Sequence, residues 1–400
     1  MAEELTALPI GKLGIIATPG CEELAQKVND YIVKYRSEVK MSHKYSILFD
    51  GYLKDNYIIN TNFTRFSTGE GKVVIQESVR GYDIFIICDV FNYGVTTKRY
   101  LQDNLPMSPD EHYANLKRVI AAMAGKAHRV TVIMPMLYEG RQHKRTSRES
   151  LDCALCLQEL CNHMGVDAII TFDAHDARVQ NAIPLHSFEN VTTMYQMIKA
   201  LVKNTPDLKI NKDNLLIISP DEGGLHRCIH YATVLELELG MFYKRRDYSR
   251  VVDGRNPILA HEYLGRDIKG MDVIVVDDMI ASGESMLEVV SKLKALGAAR
   301  IFVCTAFGLF CKGLKLFDEA YERGDIAGIY TTNLIYQPQE LLDRPWYHSV
   351  DMSKYISLLI DTMNVDKSIS GLLNPNDRIK TFLNKYGYQL GDNVSAPPRG

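Results

Sequence analysis

The chain has 400 residues, 46% hydrophobic and 24% charged, a balance that suits a globular protein with two hydrophobic cores rather than one. Its formal net charge of -3 leaves no basic excess to draw it onto nucleic acid, so any phosphate binding has to come from local sites. No apolar run approaches the roughly 18 residues of a membrane helix, Met1–Pro9 lacks the basic and apolar regions of a leader, and eight scattered cysteines fit a reducing compartment, so a cytoplasmic location is expected.

In chain order, the first phosphate candidate is Gly69-Glu70-Gly71-Lys72, which lacks the earlier glycine and the following hydroxyl residue of a Walker A loop. Buried strands are expected at Ile84–Cys88 and Val130–Met134, followed by a polar cluster at Arg141–Ser150. Cys153, Cys156 and Cys161 lie on an apolar helical pattern, with no second cysteine or histidine pair to complete a zinc site. Further strands are expected at Ala168–Phe172, Leu215–Ser219, Val273–Val276 and Ile301–Ala306, and the first three end in the polar clusters Asp173–Asp176, Ser219–Gly224 and Asp277–Ser285. Between the last two strands, Met286, Leu287, Val289, Val290, Leu293 and Leu296 recur at helical spacing up to Gly297, a candidate C-cap. The alternation predicts an α/β protein with mainly parallel sheets flanked by helices, whose ligands gather at the carboxyl ends of the strands. A boundary near residue 180 divides the strands into two similar sets, and the last ten residues read as a frayed tail.

The most specific segment is Val273-Ile274-Val275-Val276-Asp277-Asp278-Met279-Ile280-Ala281-Ser282-Gly283-Glu284-Ser285. An apolar strand delivers two carboxylates, and small residues then expose backbone N–H groups and hydroxyls at a helix N-terminus. A sugar phosphate suits that site: the helix dipole and amides hold the phosphate, Ser282, Gly283 and Ser285 supply donors, and Asp277 and Asp278 can reach ribose hydroxyls or a magnesium ion. A plain acidic strand end with a serine cap explains Ser285 but not the paired aspartates.

This segment resembles the phosphoribosyl pyrophosphate motif shared by phosphoribosyltransferases and ribose-phosphate pyrophosphokinases. Other segments resemble the pyrophosphokinase family and occur in its order: Arg65-Phe66-Ser67-Thr68-Gly69-Glu70, Glu77-Ser78-Val79-Arg80-Gly81, Tyr138 through Arg145, Asp173-Ala174-His175, Ser219-Pro220-Asp221-Glu222-Gly223-Gly224 and Lys244-Arg245-Arg246. The resemblance covers residues 12 to 375, with extra sequence near 37–57 and 91–115. It implies two similar phosphoribosyltransferase-type domains, 1–180 on the ATP side and 181–352 on the ribose 5-phosphate side, then a stretch 353–400 whose helix packs back on the N-terminal domain. It also implies transfer of the β,γ-pyrophosphoryl group of ATP to ribose 5-phosphate, with Mg2+ as cofactor. Phe66, which by itself reads equally well as a core residue, and Glu70 would hold adenine; Arg141 and Gln142 would reach base and phosphates. His175 and Asp221 would ligate the metal, although a loop histidine alone is more often simply hydrogen-bonded. Lys244 and Arg246, by themselves a solvated cationic face, would stabilise the transferring phosphates. Because the family's adenine loop meets the phosphate site of a neighbouring subunit, a homo-oligomer is implied, at least a dimer, with a hexamer as the further expectation.

The chain departs from the family pattern at four places. Ala281 stands where an aspartate is usual, Glu284 where a small residue is usual, Thr68 for asparagine or aspartate, and His143 for aspartate. An acidic residue at 284 is expected to repel a bound phosphate. A phosphoribosyltransferase, or a noncatalytic pyrophosphokinase-associated protein, are the rival readings.

Overall fold

A computed structural model of the chain describes residues 8–42, 51–99, 101–145, 147–246 and 258–388. In chain order the first part runs β1 (Lys12–Ala17), α1 (Glu22–Ser42), β2 (Thr61–Arg65), β3 (Gly71–Ile75), β4 (Tyr82–Ile87), β5 (Thr96–Arg99), β6 (Gln102–Pro106), α2 (Pro109–Met123), β7 (Arg129–Ile133), α3 (Asp152–Gln158), β8 (Ala168–Phe172) and β9 (Ser187–Val191). It continues with α4 (Met194–Asn204), β10 (Leu215–Ser219), α5 (Leu225–Leu235), β11 (Glu238–Arg246), β12 (Ile258–Leu264), β13 (Asp272–Ile280), α6 (Glu284–Ala295), β14 (Ile301–Gly308), α7 (Lys315–Glu322) and β15 (Gly328–Thr332). The short α8 (Gln339–Leu342), β16 (Tyr347–Val350), α9 (Ser353–Asn364), α10 (Ser370–Leu373) and α11 (Asn376–Lys385) complete it.

The chain folds into two compact units, one of Met1–Thr193 with Thr332–Pro338 and Asp351–Leu373, the other of Met194–Thr331 with Gln339–Val350 and Asn374–Gly400. In the first, the described residues form a parallel sheet in the order β1-β4-β7-β8-β9. Ile16, Ile84, Ile86, Val132 and Ile169 share a core with Leu116, Val119 and Met123 of α2. A capping box starts α2: the Glu111 N–H donates to Ser108 Oγ while the Glu111 carboxylate accepts from the Ser108 N–H, with Pro109 next in line. The helix α3 passes directly into a π-helical turn at Glu159–His163.

In the second unit the sheet order is β12-β11-β10-β13-β14-β15-β16. The pairings β11 to β10, β10 to β13, β13 to β14 and β14 to β15 are parallel, and β12 adds an antiparallel edge. Every residue of β10 and β14 is buried, as expected of strands covered on both faces, and this burial is why they read as unbroken apolar runs. The expected strand at Val273–Val276 is longer: β13 stays paired with β14 through Met279 and Ile280, so the acidic pair lies within the strand and the loop begins at Ala281. In α6, Met286, Val289, Val290 and Leu293 are buried, but the helix ends at Ala295 and leaves Leu296 43% exposed. Gly297 follows at φ +91°, the left-handed turn that stops the helix.

The stretch after residue 352 divides between the units: α9 packs on α1, whereas Ile379 and Leu383 of α11 join the core around α4. All eight cysteines are free thiols, and burial pushes those of Cys88, Cys153, Cys228 and Cys304 up to about 12. Among the described residues, no helix is long and apolar enough to cross a membrane.

Candidate active site

In the first unit, β2 and β3 form a hairpin whose tip carries Phe66 and Glu70. The Phe66 N–H donates to the Glu70 carbonyl at 2.9 Å, and Gly69, at φ +91°, makes the turn between them. The ring of Phe66 is 48% exposed, which removes the buried-core alternative and leaves a face open to a planar partner. Thr68 Oγ1 donates to Glu70 Oε2 at 2.9 Å, so the substituted Thr68 orients this carboxylate. The hairpin is tied from both sides: Arg65 donates to the Gly69 carbonyl and to Asn115 Oδ1, and Arg118 of α2 donates to the same Asn115 oxygen.

Arg141 and Gln142 stand exposed in the segment after β7, where the Gln142 N–H closes a turn onto the Glu139 carbonyl at 2.8 Å. Beyond β8, Asp173 adopts φ 39° and accepts from both the N–H and the hydroxyl of Thr193, fixing the start of the loop that exposes His175. The His175 ring meets that of His143 edge to face, centroids 5.2 Å apart, and His143 Nε2 lies 3.5 Å from Asp176. Burial holds the His143 imidazole below its ordinary value, against the pull of Asp176, while bonds from Arg178 hold Asp176 well below the usual carboxylate range. His143 therefore does not reproduce the aspartate it replaces. It supplies a second imidazole beside His175.

In the second unit, the carboxyl ends of β10 and β13 bring several groups together. Asp221 Oδ1 accepts from the N–H groups of Gly223 and Gly224 at 2.9 and 3.2 Å, folding the loop that opens α5. A Cβ on Gly224 would lie 3.2 Å from Ser219 Oγ and 3.5 Å from Asp277 Oδ1, so glycine permits the close approach of this loop to β13. Asp277 Oδ1 accepts from the Asp278 N–H at 2.9 Å and lies 3.8 Å from the Arg227 guanidinium. Burial first, then the neighbouring Asp278 charge, raises the Asp277 carboxyl far above the usual range; Asp221 adds to this and Arg227 opposes it. Arg227 was not singled out from the sequence, because nothing in the pattern of α5 distinguishes it from a surface cation.

Gly283 caps α6 at φ 86°, and a Cβ there would lie 2.2 Å from the buried Phe317 ring. Ser282 is half-buried and Ser285 exposed in the first turn of α6. Glu284 Oε1 pairs with Lys312 Nζ at 2.7 Å, and Glu284 Oε2 lies 3.4 Å from Ser282 Oγ. Lys244 and Arg246 stand on β11, whose backbone pairs with β12 as Lys244 to His261 and Arg246 to Ile258; their side chains lie outside the described residues.

The cofactor can be tested against these donors. Among the described residues, no group of three or more histidine, cysteine, aspartate or glutamate side chains forms a ready metal cage. Asp221 and Asp277 nevertheless offer hard oxygen ligands on neighbouring strand ends, Asp277 being half-buried with the Asp278 and Asp221 charges nearby. Magnesium fits such a site, since it is usually held by one or two carboxylates together with substrate phosphates. His175 belongs to the first unit and Asp221 to the second.

Parallel sheets flanked by helices, with an acidic strand leading into a small-residue loop at a helix N-terminus, define a two-domain α/β protein of the phosphoribosyltransferase type. A model of the N-terminal domain of ribose phosphate pyrophosphokinase matches residues 13–165, and one of the phosphoribosyl transferase domain matches residues 186–319. The ribose-phosphate pyrophosphokinase of Nitrosomonas europaea is 30% identical over 241 residues, 60% of this chain and 67% of that protein. Ribose-phosphate pyrophosphokinase A of Dictyostelium discoideum is 25% identical over 314 residues, 78% of this chain and 88% of that protein. The crystal structure of phosphoribosylpyrophosphate synthetase from Mycobacterium smegmatis has the same fold, with a TM-score of 0.68 at 20% identity, covering 88% of this chain and 98% of that one. The chain belongs to the ribose-phosphate pyrophosphokinase family.

Proposed function

We propose that the protein transfers the β,γ-pyrophosphoryl group of ATP to the anomeric hydroxyl of ribose 5-phosphate, giving AMP and 5-phospho-α-D-ribose 1-diphosphate for nucleotide biosynthesis. The observation that carries this reading is the β13–α6 junction, where Asp277 and Asp278 precede the loop Ala281–Gly283 and the amide-exposing start of a helix. The match of the N-terminal half to a pyrophosphokinase domain supports it over a simple phosphoribosyltransferase.

In this reading Ser282, Gly283 and Ser285 hold the sugar 5-phosphate with donors and the α6 dipole, and Asp277 and Asp278 hold the ribose hydroxyls. Phe66 stacks on adenine, Glu70 accepts from its exocyclic amine, and Arg141 and Gln142 reach base and phosphates. His175 and Asp221 are the residues that would hold Mg2+, whose contribution is neutralisation of triphosphate charge. Lys244 and Arg246 stabilise the charge that develops on the transferring group and on departing AMP. Little covalent chemistry is asked of the chain: it aligns the C1 hydroxyl with the β-phosphorus and excludes water. Eight free thiols support a reducing, cytoplasmic setting, and the net charge of -3 gives no basic excess that would favour nucleic acid as a partner.

The test is a magnesium-dependent assay with ATP and ribose 5-phosphate that follows AMP and the diphosphate product together. Equal amounts of both are expected, with turnover falling at least about a hundredfold in the Lys244→Ala, Arg246→Ala double variant. If neither product forms while the protein still binds phosphoribosyl pyrophosphate, the chain is a transferase or a noncatalytic partner.

A further inference from the structure

Glu284 sets a physical problem. It occupies the first position of α6, where backbone N–H groups should meet an anion, and its carboxylate is a like charge beside any bound phosphate. Its two oxygens are both engaged: Oε1 with Lys312 Nζ at 2.7 Å, and Oε2 near the Ser282 hydroxyl at 3.4 Å. The carboxylate thus stands at one of the loop's own anion donors. Lys312 is not an arbitrary surface cation here. Its segment is zipped onto the loop, with the Leu309 N–H donating to the Ile280 carbonyl at 2.8 Å and the Cys311 N–H to the Ala281 carbonyl at 2.9 Å. Phe310, buried against Phe317 and Trp346, anchors the segment in the core, so the lysine backbone is fixed although its side chain is exposed.

We propose that Lys312 is a charge-compensating, positioning residue of the ribose-phosphate loop, holding the Glu284 carboxylate so that a loop containing an acid still accepts a phosphate dianion. The proposal rests on the reading of Ser282–Ser285 as the 5-phosphate site. A bare exposed ion pair contributes little to stability, so the effect belongs in substrate binding, where an uncompensated charge acts on a dianion at short range.

The experiment measures KM for ribose 5-phosphate and for ATP, with calorimetric binding of ribose 5-phosphate, in the full chain and in Lys312→Ala, Glu284→Gln, their double variant, Ser282→Ala and Ser285→Ala. Lys312→Ala should raise the ribose 5-phosphate KM and Kd by roughly tenfold without a matching change for ATP. Glu284→Gln should lower them, and the double variant should return to the wild-type value or below. A Lys312→Ala change smaller than about twofold, or a double variant as weak as Lys312→Ala alone, overturns the proposal. If the serine variants bind weakly while Lys312→Ala does not, only the role of Lys312 falls; if neither serine matters, the loop is not the phosphate site and both readings fall.

Discussion

At Gly283 the backbone and the core make the same demand. The residue sits at φ 86°, and its missing Cβ would lie 2.2 Å from Phe317, a fully buried ring stacked on Trp346 that has nowhere to move. Gly283→Ala is therefore expected to cost about 1–3 kcal/mol, read as a lower Tm, and to weaken ribose 5-phosphate binding because the cap of α6 must shift. Asp89 offers a second single-residue test. Its buried carboxylate accepts from the N–H groups of Phe91 and Tyr336 at 2.9 and 2.8 Å, and burial pushes its carboxyl up to about 7. In the unfolded chain it titrates near about 3.9, so the folded state holds an extra proton between roughly pH 4 and 7, and stability falls as pH rises through that window. Thermal melts at pH 5 and 8 should show Asp89→Asn gaining on the wild type at the higher pH; a constant difference between the two proteins would refute the assignment.

At the scale of elements, α1 and α9 are joined by one buried cation. Arg36, 1% exposed, donates to Asp361 at 2.6 Å, to the Tyr52 carbonyl at 3.0 Å and to Asn364 at 2.9 Å, beneath the rings of Tyr52 and Tyr57. This gives part of the extra sequence near 37–57 a structural role, because Tyr52 and Tyr57 complete the pocket around the guanidinium. Residues 43–50 of that stretch lie outside the described residues, and the other stretch near 91–115 contains the β5–β6 hairpin and the start of α2. Arg36→Met leaves the Asp361 carboxylate uncompensated and should lower the unfolding free energy in urea by about 3–5 kcal/mol; Asp361→Asn added to it should recover part of the loss.

For the molecule as a whole, the proposed division of labour places adenine recognition on the β2–β3 hairpin of one unit and ribose phosphate on the β13–α6 loop of the other. If the adenine loop of one subunit serves the phosphate site of its neighbour, the protein in solution is at least a dimer by sedimentation. Mixing a Phe66→Ala variant with the Lys244→Ala, Arg246→Ala variant should then restore part of the activity that each lacks. A fully active monomer would end the shared-site reading.

The central strands were legible in the sequence because helices cover both faces of β10, β13 and β14, and burial on both sides leaves an uninterrupted apolar run. Leu13–Ile16 of β1 are buried, but Gly14 interrupts the apolar run and leaves it too short to read as a strand, whereas the polar edge strand β9 carried no apolar pattern because an edge needs pairing but not burial on both faces. The acidic pair and small-residue loop at 277–285 were equally legible, because a strand, a turn and a helix start are local arrangements set by neighbours in the chain. Other features were decided only in three dimensions. The strand extends through Asp277 and Asp278 because β14 lies alongside, Arg227 reaches Asp277 from α5, and Lys312 reaches Glu284 from 28 residues away. Sequence spacing encodes which face of an element is buried, whereas the partner of a charge depends on distance through space, which the fold alone sets.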